Sequence, residues 1–351
     1  MDAARPKLAF VSSPYLGWGS IRKRWEKAFS EDPSIDFVSV HWEEKALQWR
    51  RIYERTGRLQ SLWFGMAGRE SCLQAIRSGH TTILLTTVAQ AGLLPRRTAA
   101  KFYIYGDSTP AQLQELYGGR SSPLGERLAY IGLRRASENV HFLCVSHWYK
   151  AALRAEYGIV ESRTSLLPFA ADTDLWTPGH RPEPSRPLVV FIGGDFIRKG
   201  GPLLREVAAS MVNEADFVYV TREEQAPGQN ETFRTGLTAD SPDLIEIMRS
   251  ATVFVIPSLA DCSSIVSIEA ASCAKPVVAS AVGGIPEVVI DGTTGMIVAE
   301  HSAEAYRSVI RRYLGDRMLR ELHGANGRKH ATEHHSLAAQ ISKLKRLLDI
   351  Q

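Results

Sequence analysis

No apolar run in the 351 residues approaches the roughly 18 to 20 needed to cross a bilayer. The first residues also lack the apolar core of a secretory leader, so neither a membrane span nor a leader is expected. Cysteine is scarce. Four residues, Cys72, Cys144, Cys262 and Cys273, lie far apart, whereas a disulfide framework or a zinc site needs tighter, paired spacing. They are expected to be reduced core thiols in a cytoplasmic protein. Short-period repeats and low-complexity tracts are absent, and none of the ten histidines has the spacing of a metal site or a catalytic triad. Charge of one sign is nearly lacking too, at a net +4. It is uneven, however: residues 1–175 carry 23 Lys and Arg against 17 Asp and Glu, and the rest 19 against 21. An anionic partner is therefore sought in the first half.

What is present is an ordinary globular composition, 44% hydrophobic and 23% charged, long enough for two cores. Short β-rich apolar runs alternate with helical patterns, the sign of parallel sheets made of βαβ units. The expected strands are Leu8–Ser12, Phe37–Trp42, Thr81–Leu85, Phe102–Tyr105 and Phe142–Val145, then Leu188–Gly193, Phe217–Thr221, Val253–Ile256 and Pro276–Ala279. Helices are expected at Leu124–Ser137, His147–Glu156 and Leu203–Val212. The proline-rich stretch Pro178–Pro187 reads as a linker. Beyond Ser302 the pattern is helical, with Gly324 and Gly327 breaking it once, and ends in a helix from about Ser336 to Leu348. The expected domains are 1–175, 176–330 and a terminal helix in 331–351 that returns to the first domain. Two doubly wound sheets in tandem would take ligands at the carboxyl ends of their strands, in a cleft between domains.

Chemistry concentrates between Pro257 and Val298. A strand ends at Pro257, small residues follow, and a helix starts near Ser264 with Ser263 or Ser264 as N-cap. Free N–H groups and the positive helix end make an anion site there. Asp261 precedes the helix and Glu269 lies eight residues on, so two carboxylates bracket a polyhydroxylated ligand at either end of a phosphate. Gly283-Gly284 is a turn where backbone approaches closely. This passage closely resembles the donor-site signature of glycosyltransferase family 4: a Pro-Ser strand end, a carboxylate, seven residues, Glu-Ala, then Pro-Val-Val-Ala, Gly-Gly-x-Pro-Glu and Asp-Gly-x-x-Gly. The resemblance implies a GT-B fold, with Glu269 on the ribose hydroxyls of a sugar nucleotide. It also implies that Asp261 and the amides of Cys262, Ser263, Ser264 and Ile265 face the transferred sugar and the diphosphate. The family usually has Glu at position 261 and glycines at 262 and 264, a departure that leaves the sugar open.

A second segment, Phe191–Gly201, feeds a strand into Gly193-Gly194 and then Arg198-Lys199-Gly200-Gly201 before a helix. Flexible backbone, two cations and a helix N-terminus compose a phosphate cradle. It looks like the family's diphosphate loop; many members carry an Arg where Gly194 stands, and Arg198 is expected to substitute. Leu166–Pro178 is similar to the family's domain-joining passage, so Asp172 and Asp174 are read as structural and not as a metal pair. Base contacts are expected from the loop after Thr221 and from Arg234–Asp240.

In the first half, Gly17 and Gly19 precede a helix expected near Ser20, in a loop that in this family closes over the donor phosphates. Asp107 ends a strand where many relatives carry a His beside the reacting carbon. It is read as orienting the acceptor hydroxyl or the donor sugar, or else as the N-cap of a helix beginning at Thr109 or Pro110. Ser146 is expected to be a cap. The basic clusters Arg22-Lys23-Arg24, Arg50-Arg51, Arg96-Arg97 and Arg134-Arg135 fit peripheral attraction to an anionic lipid headgroup or lipid-diphosphate acceptor. His334-His335 is expected to be solvated.

The resemblance implies transfer of a sugar from a nucleotide-diphosphate donor to a hydroxyl of a glycan, lipid-linked or small-molecule acceptor, with retention and without a metal or other cofactor. Asp107, Arg198, Lys199 and Asp261 are the expected catalytic residues. Polysaccharide or glycoconjugate synthesis is the expected setting, with no nucleic-acid partner. The alternatives are a non-catalytic homologue that binds a sugar nucleotide, and an epimerase or phosphorylase on the same fold.

Overall fold

The structure is a computed structural model and describes residues 5–12, 18–41, 60–86, 93–95, 98–118, 131–135, 140–179 and 185–350. The chain divides into two compact units, Met1–Leu167 with Ile341–Gln351, and Pro168–Gln340. Each is built on a six-stranded sheet whose described pairings are all parallel.

The first sheet contains β1 (Lys7–Ser12), β2 (Asp36–His41), β3 (Thr82–Leu85), β4 (Lys101–Gly106), β5 (Val140–Cys144) and β6 (Thr164–Leu166), in the order β2-β1-β3-β4-β5-β6. A parallel sheet is covered on both faces, so its central strands need unbroken apolar runs. All four residues of β3 are buried, as are five of six in β1 and β4. Helices α1 (Trp18–Ser30), α2 (Gln60–Arg77), α3 (Pro110–Tyr117) and α4 (His147–Tyr157) lie between the strands. Trp25 of α1 is fully buried, its ring 4.8 Å from Tyr105 and 5.6 Å from Phe10.

The second sheet contains β7 (Leu188–Ile192), β8 (Asp216–Val220), β9 (Glu231–Arg234), β10 (Val253–Ile256), β11 (Val277–Ser280) and β12 (Gly295–Val298). Its order, β12-β11-β10-β7-β8-β9, is the doubly wound one: the chain builds outward from β7, returns, and builds outward again from β10. The helices are α5 (Gly201–Ser210), α6 (Pro242–Ser250), α7 (Ile265–Ser272), α8 (Ile285–Val288), α9 (Ala303–Gly315) and α10 (Arg317–His334). The α/β class with two Rossmann-like sheets is thus the one expected.

The carboxyl-terminal region departs from its pattern in two places. Helix α10 runs unbroken through Gly324 and Gly327. The glycines serve packing there: a Cβ on Gly324 would stand 2.2 Å from the Ala274 carbonyl oxygen, and one on Gly327 3.4 Å from the Ala271 Cβ. The break falls at His335, which is buried rather than solvated and donates through Nδ1 to the Phe169 carbonyl at 2.8 Å. Helix α11 (Leu337–Leu348) then carries the chain into the first unit, where Lys345 pairs with Asp32. Asp172 accepts from the N–H groups of Asp174 and Leu175 at 3.2 and 3.1 Å, which makes it the pivot of its own turn. No described helix is long and apolar enough to cross a membrane.

Candidate functional site

Because the chain leaves β7 toward one edge of the second sheet and β10 toward the other, the loops after these neighbouring strands part and open a crevice at their carboxyl ends. Both sequence motifs of this half lie there. Residues 193–200 follow β7 and residues 257–264 follow β10, and four contacts tie them together. The Leu259 N–H donates to the Arg198 carbonyl at 2.9 Å, and the Arg198 guanidinium donates to the Ala260 carbonyl at 2.9 Å. Lys199 Nζ forms an ion pair with Asp261. Gly200 passes directly against Pro257: its φ is +81°, and a Cβ there would lie 1.9 Å from the Pro257 carbonyl oxygen. Only glycine fits that position.

A third loop closes on the second. Gly283, at φ +55°, approaches Asp261 so nearly that a Cβ would stand 2.0 Å from its carbonyl oxygen, and the Gly284 N–H donates to the Cys262 carbonyl at 2.9 Å. The Gly-Gly turn read from the sequence is therefore a clamp on the 261–262 backbone.

Two helices begin at this crevice. Helix α5 starts after Gly200, which offers no side-chain cap; the Gly201 N–H donates to the Phe196 carbonyl at 2.8 Å and Pro202 has none, so the α5 start offers an anion chiefly the positive end of its dipole. Helix α7 starts after Ser264, whose hydroxyl accepts from the Ser267 N–H at 3.3 Å and from the Ser267 hydroxyl at 2.7 Å. The hydroxyl of Ser264 is thus spent on its own helix, and Ser264 rather than Ser263 is the N-cap. Asp261, Cys262, Ser263, Ser264 and Glu269 are all buried, and Ile265 is half-buried. Arg198 bonds Asp195 through Nε at 2.9 Å and through its amide at 3.1 Å. Burial pushes the Asp195 carboxyl up, but these Arg198 bonds outweigh it and hold the group below the ordinary carboxylate range. The arrangement brings two helix N-termini, one lysine and two buried carboxylates to one strand-end crevice, a composition suited to an anion flanked by hydroxyl groups.

In the first unit Asp107 directly follows β4 and is half-buried; its Oδ1 accepts from the Ser108 hydroxyl at 3.0 Å. The N-cap of α3 is Thr109, with a full capping box through Gln112, so the cap reading of Asp107 is corrected. Ser146 is a cap, accepting from the Tyr149 N–H at 3.1 Å. Helix α1 starts at Trp18, which puts Gly19 in its first turn and not in a loop before it; no described atom lies within 4 Å of where its Cβ would be. Gly17, Arg50-Arg51 and Arg96-Arg97 lie outside the described residues. Of the remaining basic groups, Arg24 is buried. Among the described residues no three His, Cys, Asp or Glu gather as a metal site.

One residue at this crevice escaped sequence reasoning. The parallel register sets Ile192 opposite Val220, so Arg222, two residues past β8, stands beside Gly194, two residues past β7. Nothing local in the sequence signals a neighbour created by strand order.

Residues 186–316, which hold every site residue of the second unit, match the family model described as Glycosyl transferases group 1. The chain is 29% identical over 205 residues to a D-inositol 3-phosphate glycosyltransferase of Thermobifida fusca, covering 50% of this chain and 47% of the relative. It is 34% identical over 177 residues to an alpha-maltose-1-phosphate synthase of Mycobacterium tuberculosis, covering 44% of this chain and 46% of that one. The chain thus spans about half the length of the curated relatives it matches. Among solved structures it resembles sucrose-phosphate synthase from Thermosynechococcus elongatus, with a TM-score of 0.73, 18% identity and coverage of 98% and 99%. Anabaena HepE in complex with UDP gives 0.74, at 14% identity and the same coverage. These likenesses show the two-domain GT-B fold.

Proposed function

We propose that this chain is a retaining glycosyltransferase that moves a sugar from a nucleotide-diphosphate donor to an acceptor hydroxyl. The observation that carries the reading is the meeting of two separate motifs, 193–201 and 261–269, at the β7–β10 switch point inside the stretch that matches the group 1 glycosyl transferases. Structures of the similar fold in HepE hold UDP and, in another crystal, UDP-glucose, which supports a donor of this chemical class.

In this reading Gly193 and Gly194 let the donor diphosphate approach the backbone, Lys199 and the α5 N-terminus neutralise it, and Arg198 braces the loop. The amides of Cys262 to Ile265 face the diphosphate from the α7 side, Asp261 meets the sugar, and Glu269 holds the ribose. The acceptor oxygen bonds to the anomeric carbon as the bond from that carbon to the phosphate oxygen breaks. The acceptor's proton passes to the departing diphosphate on the same face. Catalysis is electrostatic: groups fixed before reaction stabilise the charge that grows on the diphosphate. Asp107, Gly17 and Gly19 are assigned to the acceptor side and to loop closure. No metal or other cofactor is assigned. A glycan, lipid-linked or small-molecule acceptor, in polysaccharide or glycoconjugate synthesis, completes the reading. Arg22, Lys23, Arg134 and Arg135 are assigned to peripheral contact with anionic headgroups.

Thermal unfolding with UDP, GDP, ADP, CMP and dTDP tests it. A ligand that binds only the native state, at about a hundred times its Kd, stabilises by about 2.7 kcal/mol. One nucleoside diphosphate is expected to raise the melting temperature, and Glu269→Ala to abolish the rise. If none does, the transferase reading fails.

A further inference from the structure

We infer that Arg222 is a further cation that faces the donor phosphates in this site, occupying the space that Gly194 leaves without a side chain. The inference rests on the nucleotide-sugar reading above and names a positioning residue that the two motifs do not contain.

Three observations carry it. First, register: β7 and β8 pair Ile192 with Val220, and the Gly193 N–H extends the ladder to the Val220 carbonyl at 2.9 Å, so residues 194 and 222 leave the sheet side by side, one strand from the β7–β10 switch point. Second, space: a Cβ built on Gly194 would lie 3.2 Å from Arg222 Nε and 3.5 Å from its Cζ. The guanidinium is thus laid along the glycine backbone, in the place a side chain at 194 would start. Third, charge: the other two cations of the crevice are committed, Arg198 to Asp195 and the Ala260 carbonyl, and Lys199 to Asp261. Arg222 is exposed and pairs with no acidic side chain among the described residues. Its acidic neighbours do not compensate it directly: Glu223 accepts from the Phe196 N–H at 3.3 Å, Glu224 is exposed, and Asp195 is held by Arg198.

A diphosphate brings at least two negative charges to a crevice where Arg198 and Lys199 are already paired. A planar guanidinium, with its fork of donors, can take two phosphate oxygens at once. Arg222 would therefore separate nucleoside diphosphates from nucleosides and set the position of the leaving group.

The test measures affinity for UDP, GDP and ADP, each beside its parent nucleoside, for the wild type, Arg222→Ala, Arg222→Lys and the double variant Gly194→Arg/Arg222→Ala. For the diphosphate that the wild type binds, Arg222→Ala is expected to lose about 10- to 100-fold, the loss of a charge-assisted bond, with nucleoside affinity unchanged. Arg222→Lys should fall between. Position 194 has no left-handed φ, so an arginine fits there once residue 222 is alanine, and the double variant should regain diphosphate binding. Unchanged diphosphate affinity in Arg222→Ala, or equal losses for nucleoside and diphosphate, would overturn the inference while leaving the transferase reading intact. Failure of the wild type to bind any of the three diphosphates would instead remove that reading.

Discussion

Gly200 decides more of the site than any charged residue does, because it fixes where Lys199 and the α5 N-terminus stand. Its left-handed φ of +81° costs a residue with a Cβ on the order of 1 kcal/mol. The larger obstacle is steric, since the clash is with backbone: the Pro257 carbonyl oxygen 1.9 Å from the added carbon belongs to a chain held at the end of a central, fully buried strand. Gly200→Ala is therefore expected to lower unfolding free energy by about 2–4 kcal/mol. It should also weaken nucleotide binding, because the two loops can relax only by parting. Urea denaturation checks the first effect and titration with the bound nucleotide the second. The comparison variant is Gly315→Ala, whose Cβ meets no described atom within 4 Å. A stable Gly200→Ala protein with native affinity would show that the loops are not held at this point.

At the scale of elements, the joint between α10 and α11 is set by a histidine. His335 breaks α10, bonds the Phe169 carbonyl through Nδ1, and accepts from the Ala171 N–H at 2.9 Å through its own carbonyl. Burial pushes its pKa down to about 4, with the His330 ring 5.2 Å away. The unfolded chain, with an ordinary value near 6.5, binds a proton that the folded one refuses. Stability from this group is whole above about pH 6.5 and is lost as pH falls from there to about 4, by on the order of 3 kcal/mol. His335→Asn keeps a donor for Phe169 and does not titrate, so its stability should fall less steeply than the wild type's across that window; parallel slopes would refute the assignment. The sequence did not disclose this joint, because a helix-ending histidine pair looks solvated until the segment it bonds, Phe169 to Ala171, is known. The three strands absent from the sequence reading, β6, β9 and β12, are all sheet edges. An edge strand has one partner and one open side, so β6 and β9 manage with half-exposed residues and leave no apolar run to read. The central strands β1, β3, β4, β7 and β10 must be apolar on both faces and were legible for that reason.

Across the whole molecule, legibility divides along the same line. The crevice at β7 and β10 could be read from sequence because its parts are local: glycines, a basic pair and a helix start lie within a few residues of one another. Arg222, the Lys199–Asp261 pair and the clamp of Gly283 on residue 261 depend on which strands are neighbours, and sequence spacing carries no trace of that. The proposed chemistry makes one further demand. If the leaving diphosphate takes the acceptor's proton, reaction occurs on the face from which the leaving group departs, and the product keeps the donor's anomeric configuration. Proton NMR of the anomeric coupling in a newly formed product, taken before any mutarotation, checks this. The same groups should let water replace a missing acceptor, so slow hydrolysis of the sugar nucleotide is expected without acceptor, falling at least 10-fold in Lys199→Ala as one preorganised charge on the diphosphate is removed. Inverted product would mean that a protein base takes the proton from the opposite face.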